Sequence, residues 1–419
     1  MTNAMERRGD PERTARRVND ARVLSVTRRA LQWAREREYA GWDPYDGLNS
    51  PVLSPLARGP LSRLVCLHLV NRAPVNLRPV LGVPRERTPM GVALFARTLL
   101  YLYEVSGTDQ YLREAESLLE WLRGARAEDY AGSSWGYNFD WQNGTKFFLE
   151  AYDPCLVVSV FCGDAFLHHW RLTEAAASLE TAAEVGEFIT TDMNVERAGG
   201  HAVYSYTPHD EFVVVNANAL AARYLAQLDS VGTADPNVST PDECRRRADE
   251  LAAFVVDVQT EDGAWYYSYP SADSHLTHDN FHTGYVVDSL RDYARVTPSA
   301  TDAERAFRDG LAFYRHNLFE PDGAPRFDHE SPYPRDAHSA AQGIRTFAVE
   351  DDSAGTARTV LAWSLSHLFD DSGYFYRRIG RLGDDRTPYM RWSQAWMCFA
   401  LASYLCYTDE NREVPEVAP

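Results

Sequence analysis

Histidine, acid and amide side chains crowd a few short stretches of this chain, and the densest is His278-Asp279-Asn280-Phe281-His282-Thr283-Gly284. At the start of a helix such a stretch aims free backbone N–H groups and titratable side chains at one point, which suits an anionic ligand. Imidazole changes charge near neutral pH, so His282 is the leading candidate for proton transfer, with Asp279 beside it and His278 and Asn280 as substrate contacts. His278 and His282, four residues apart, could instead ligate a metal, but no further ligand motif accompanies them and no metal is expected. Asp328-His329-Glu330 and then Asp336-Ala337-His338-Ser339 with Gln342 form a second cluster. His338 also stands at a helix start, where it can face His282 across a cleft. The third cluster is Trp135-Gly136-Tyr137-Asn138-Phe139-Asp140-Trp141. There Tyr137 can relay a proton, and desolvation between two rings would raise the Asp140 carboxyl. The competing reading of Asp140 is a turn or cap residue.

Further polar groups lie at corresponding places: Asp43, Tyr45, Asp46 and Asn49; His209, Asn216 and Asn218; Trp265; and Arg386, Arg391 and Trp392. Arg391 could clamp a carboxylate, because its planar fork pairs bidentately with one. The rings of Tyr45, Trp135, Trp141, Trp265 and Trp392 offer flat faces to sugar C–H surfaces, or equally serve as wedges between helices. His168 and His169 fall inside a helix and read as packing or surface.

What must position these groups is a succession of amphipathic helices, about twelve in number. They are predicted over 21–38, 91–105, 111–123, 154–169, 175–189, 214–228, 244–258, 284–293, 303–316, 339–349, 355–368 and 391–404. After every second helix comes a loop of glycine, aromatic and acid residues, such as Gly41-Trp42-Asp43-Pro44-Tyr45-Asp46-Gly47, Asp262-Gly263-Ala264-Trp265 and Asp322-Gly323-Ala324-Pro325-Arg326-Phe327-Asp328. Two-helix units recurring at roughly regular spacing mean a stacked or closed array, since each unit needs neighbours to bury its apolar face. The repeat runs through nearly the whole chain, so one all-α domain is expected over 20–408, an (α/α)6 toroid of six hairpins. Residues 1–19 read as loosely ordered and 409–419 as a tail.

Composition narrows the function. The 419 residues carry a formal charge of −18, which argues against a nucleic-acid partner, for that needs a basic stripe. Of 42 basic residues only Lys146 is lysine. Acid excess with almost no lysine suits a high-salt cytoplasm, where hydrated carboxylates favour solubility, and points to a halophile, most simply an archaeon. The six cysteines show no metal spacing; Cys155 and Cys162 share an apolar stripe and read as small buried hydrophobes. No apolar run follows the polar, arginine-rich start and none approaches a membrane span, so a cytoplasmic protein without an integral membrane segment is expected. No cofactor is expected.

The helix pairs with their D-G-x-W/F loops resemble the six-hairpin carbohydrate-active superfamily of glycoside hydrolases, unsaturated-uronyl hydrolases and N-acylglucosamine 2-epimerase-like isomerases. Gly41–Pro51, Trp135–Trp141 and His278–Gly284 more narrowly resemble haloarchaeal AglQ-like proteins of surface-glycan assembly. That resemblance implies an (α/α)6 barrel with a sugar or glycan as partner, and a place in S-layer N-glycosylation acting on a hexuronic acid. The residues themselves leave the carrier open among lipid, nucleotide and protein.

Two reactions compete. Epimerising or isomerising a hexuronic acid needs a base on one face, an acid on the other and neutralisation of an enolate, roles open to His282, His338, Tyr137 and Arg391. Glycoside hydrolysis needs two carboxylates across the scissile bond, and Asp46, Asp140, Asp279 and Asp328 are available. Two acids facing across a cleft favour hydrolysis; paired imidazoles beside an arginine favour proton shuttling. A non-catalytic glycan-binding scaffold is a further alternative. Gln259–Trp265 also resembles the Q-W repeat of terpenoid cyclases, but stands alone and lacks their acid motif.

Overall fold

The helices of this chain differ in how far round they are buried, and that difference sorts them into two rings. The computed structural model describes residues 20–73, 75–145, 147–234, 243–350 and 354–408. The stretches expected to be loosely ordered, 1–19 and 409–419, lie outside the described residues. Six helices are buried on nearly every side: Pro89–Ser106 (α3), Leu156–Thr173 (α5), Val215–Ala234 (α7), Asn280–Val296 (α9), Ala337–Ala348 (α11) and Trp396–Tyr407 (α13). Every residue of α13 from Trp396 to Cys406 is buried. A helix apolar all round belongs inside a core. Each of the six packs on the next, and α13 packs back on α3, so they close a ring.

The second set buries one stripe only. In Asp109–Gly124 (α4) the buried residues are Tyr111, Ala115, Leu118, Leu119 and Leu122, a one-faced 3.6-residue pattern. Ala176–Glu187 (α6), Cys244–Asp257 (α8), Thr301–Asn317 (α10) and Ala354–His367 (α12) likewise lie outside the inner helix that precedes each of them, and the first helix, Asp20–Arg35 (α1), covers α13. The molecule is therefore an (α/α)6 toroid, closed by pairing its first described helix with its last. Four two-stranded antiparallel ribbons add little: Trp141–Asn143 (β1) with Phe147–Leu149 (β2), Val195–Ala198 (β3) with His201–Tyr204 (β4), Val213–Val214 (β5) with Ser268–Tyr269 (β6), and Arg335–Asp336 (β7) with Arg378–Ile379 (β8).

The repeated loops share one turn. Gly263, Gly323 and Gly373 stand at φ of 90°, 86° and 90°. Each donates its N–H to the carbonyl three residues back, at Thr260, Glu320 and Asp370. Those same residues donate their own N–H groups to the carbonyls of Ala264, Ala324 and Tyr374. Only glycine holds that backbone without strain, and a Cβ at Gly323 would also lie 2.5 Å from the Thr359 carbonyl. The turn reverses the chain from an outer helix back toward the next inner helix.

Two features depart from the sequence-based expectation. A thirteenth helix, Pro60–Asn71 (α2), stands outside both rings with its own small cluster of Leu48, Leu53, Cys66, Leu67 and Val70. The segment Met390–Ala395, expected within a helix starting at Arg391, is a π-turn that leads into α13. All six cysteines are buried, and among the described residues none is joined in a disulfide. Among the described residues no helix is long and apolar enough to cross a membrane.

Candidate active site

The starts of the six inner helices gather at one end of the ring, around a cavity of about 220 Å³. Met90 of α3, Val157 of α5, Asn216 of α7, Phe281, His282 and Tyr285 of α9, His338 and Ser339 of α11, and Arg391 and Trp392 of the π-turn all line it. The loops add Tyr45, Tyr137, Phe139, Trp141, Tyr206, Tyr267, His275 and the arginines Arg377 and Arg378. This volume lies just below the ~300 Å³ at which ligand pockets begin, so it suits a single sugar ring better than a chain of them.

Two N-caps set the histidines. Asp279 caps α9 by accepting from the His282 N–H at 3.3 Å, and its other oxygen lies 2.9 Å from His282 Nδ1. That contact fixes the ring and leaves Nε2 for the cavity. Asp336 caps α11 by accepting from the His338 N–H at 2.8 Å, and also accepts from Trp392 Nε1 at 2.7 Å. Burial pushes the Asp336 carboxyl up, against the pull of Arg377. His338 Nε2 meets the Tyr285 hydroxyl at 2.7 Å, and its ring is sandwiched between Phe281 and Trp396, each 4.3 Å away. Burial, with Arg391 and His282 nearby, holds His338 well below the ordinary imidazole range, so it is neutral at neutral pH. The Tyr285 ring lies between the histidines, 6.0 Å from His282 and 5.8 Å from His338.

Arg391 lines the cavity, but its fork is occupied. Its Nε donates to Asp43 at 2.7 Å and an NH2 to the other oxygen at 2.9 Å, both partners being buried. Its guanidinium also stacks 5.1 Å from the Tyr137 ring. Two more arginines, Arg377 and Arg378, line the wall. Arg377 donates to Asn71 and Asp385 but its buried Nε has no partner among the described residues. The Arg378 side chain makes no hydrogen bond or ion pair among them.

Tyr137 reaches the Tyr206 hydroxyl at 3.3 Å, and burial raises its own hydroxyl pKa. Tyr45, Trp141 and Trp392 form one aromatic wall, with ring centroids 5.4 and 6.2 Å apart. Asn216 presents a buried carbonyl oxygen without a partner among the described residues.

Other expected contacts lie elsewhere, each for a physical reason. Asp43 reaches the cavity only through Arg391. Asp46 is paired with Arg78 at 2.5 Å, and Asn49 donates to the Asn138 carbonyl at 2.8 Å. Asn138 itself donates to Glu86. Asp140 accepts from the Ala151 N–H at 2.9 Å, the turn role that competed with catalysis. Trp135 and Trp265 are wedges whose indole N–H groups donate to the Leu122 and Val255 carbonyls. His209 is exposed beside Tyr130. Asn218 bonds to Tyr204 and Val214, and Asn280 to Leu318 and Tyr314. His278 turns away from His282 and stacks on His329 at 4.8 Å. Asp328 holds the Glu330 and Ser331 N–H groups, and Gln342 donates to Asp288 deep in the ring.

No protein-family model and no curated protein matches this chain in sequence. Solved structures match its fold. A cellobiose 2-epimerase from Bacillus thermoamylovorans B4167 aligns at 12% identity and a TM-score of 0.57, over 77% of this chain and 90% of that one. An unsaturated glucuronyl hydrolase specific for heparin aligns at 16% and 0.55, over 77% and 87%. A D-mannose isomerase aligns at 13% and 0.57, again over 77% and 87%. The similarity is one of fold.

Several cavity residues carry no clear sequence signal. Arg377 and Arg378 are two among 41 arginines, Tyr206 and Tyr267 lie in the repeated aromatic loops without being set apart from their neighbours, and Tyr285 falls inside a predicted helix. The Asp336 N-cap three residues before Ser339 was the one signal available, since an acid before an apolar helix start is a capping pattern.

Proposed function

We propose that this protein is a carbohydrate-active enzyme that inverts or isomerises a sugar by moving a proton between two imidazoles, His282 and His338. The observation that carries this is their placement on one cavity with Tyr285 between them, while the cavity acids, Asp279 and Asp336, are engaged in holding those histidines and Trp392. The fold is shared with proteins whose names are epimerase and isomerase, which supports the reading. His338, neutral through burial, takes the proton from a carbon next to a carboxylate or carbonyl; the C–H electron pair moves onto that group as an enolate. Arg377 and Arg378 neutralise the developing charge. His282 returns a proton to the opposite face, and proton exchange with solvent resets the pair.

Arg378, unpaired at the wall, favours an anionic sugar, and hence a hexuronic acid. With the lysine-poor acidic composition and the resemblance at Gly41–Pro51 and His278–Gly284, this supports a role in surface-glycan assembly such as S-layer N-glycosylation. The test is incubation with uronic acids and aldoses in D2O, followed by NMR. Deuterium should enter at the inverted carbon without change of connectivity, and His282→Ala or His338→Gln should abolish the exchange. A glycan profile unchanged by deleting the gene would remove the assembly role alone.

Glycoside hydrolysis is the second reading, favoured by the raised carboxyl of Asp336, which could serve as the acid. Release of new reducing ends without deuterium incorporation would establish it instead.

A further inference from the structure

Exposed large apolar side chains are unevenly spread over this molecule. Among the described residues seven of the twelve lie between Val52 and Val80, on α2 and its flanking turns. On α2 itself Leu61, Val65 and Leu69 are 71%, 67% and 53% exposed, spaced four apart along one face, while Cys66, Leu67 and Val70 face inward. A solvent-facing helix stripe normally carries charge, and an exposed apolar area of this kind marks an interaction surface.

The charge around it is equally uneven. Residues 47–85 contain five arginines and no carboxylate, in a chain with 60 acids and a net charge of −18. Arg78 is used internally by Asp46, but Arg58 and Arg72, at the two ends of α2, and Arg85 in the segment after it are exposed. An apolar helix face rimmed by arginine is the pattern of a helix lying in a membrane interface, with aliphatic side chains below the headgroups and guanidinium groups on anionic lipid. A second copy of this chain fits less well, because a two-fold contact would set one acid-free arginine patch against another.

The face stands next to the cavity. The helix packs on the Asp46–Asn49 turn and on β1, and its last residue, Asn71, accepts from the cavity residue Arg377 at 2.5 Å. We propose that α2 and its flanking turns dock the protein on an anionic lipid surface, bringing the cavity mouth to the headgroup layer. Combined with the sugar reading above, on which this second step alone rests, the substrate would be a sugar carried on a membrane lipid.

Flotation of the full chain with vesicles tests the docking without any activity. Wild type should float with vesicles of phosphatidylcholine mixed with phosphatidylglycerol, and less with phosphatidylcholine alone. Leu61→Ser/Val65→Ser/Leu69→Ser should lower the bound-to-free ratio about tenfold or more, with an unchanged far-UV circular dichroism spectrum. If that triple variant does not fold, Arg58→Gln/Arg72→Gln/Arg85→Gln serves instead and should remove the preference for anionic vesicles. Wild type that stays unbound, substitutions without effect on flotation, or a concentration-dependent dimer lost in the triple variant without vesicle binding would each overturn the proposal. Failure of deuterium exchange with normal flotation would overturn only the sugar reading.

Discussion

Protonating His338 would place a charge between the faces of Phe281 and Trp396 with Arg391 close by, and that fixes the direction of its pH dependence. Its pKa in the folded state lies well below the 6.5 of a free imidazole. The unfolded chain therefore takes up that proton first. Stability contributed by neutral His338 is complete above about 6.5 and is lost as pH falls from there toward the folded value. Thermal midpoints should accordingly drop on the acid side of 6.5, and less steeply for His338→Gln; parallel curves would sink the argument. Arg378 allows a second prediction. If its open guanidinium holds the substrate carboxylate, Arg378→Gln loses a charge-assisted contact of about 1.5–3 kcal/mol, roughly ten- to hundredfold in kcat/KM for a uronate. A neutral aldose should be little affected, and equal losses on both substrates would reject the role. At this scale the sequence was a partial guide. His282, His338 and Asp279 stood out because polar and titratable groups crowd together there at helix starts. Asp140 and Asn218 looked alike by type, yet they satisfy backbone N–H and C=O groups, which no local pattern distinguishes from contact with a ligand.

The starts of α9 and α11 are where local structure and site chemistry coincide, since each cap acid orients its helix's histidine or that histidine's neighbour. Asp279→Ala removes a cap and should cost about 1 kcal/mol of stability together with the contact to His282. Asp279→Asn retains an oxygen for capping but offers His282 an amide in place of a carboxylate. Stability near wild type with turnover down by about tenfold or more is expected for the asparagine variant, and full activity in it would show that the carboxylate only caps. The π-turn at Met390–Ala395 is the other element that shapes the site, because the widened turn lets adjacent residues, Arg391 and Trp392, both reach the cavity. Most helices were legible from 3.6-residue periodicity, and their ends fell within a few residues. The exception, α2, is apolar inward and outward, so it shows no alternation of faces, and its role is set by what covers it.

Closure of the ring depends on partners at opposite ends of the chain: α1 covers α13, and α13 touches α3. The repeated glycine turns announced the array, but the pairing of first helix with last is a long-range contact that no local window contains. A net charge of −18 on such a body acts as self-repulsion, which added salt screens. Thermal midpoints should therefore rise as KCl is raised from low to molar concentration. A flat or falling curve would remove salt adaptation as the reason for the lysine-poor composition.

The ion pair between Asp43 and Arg391 spans 348 residues of sequence. During synthesis Asp43 leaves the ribosome long before Arg391 has been made, and until then its carboxylate lacks its ion-pair partner and has only the Tyr45 N–H within reach. The cavity it supports also lacks one of its six helix starts for all that time. The nascent chain must hold five largely buried helices without their closing neighbour, a state that invites chaperone binding, and no product truncated before α13 can carry a finished site. The cavity is thus finished only once α13 has been made.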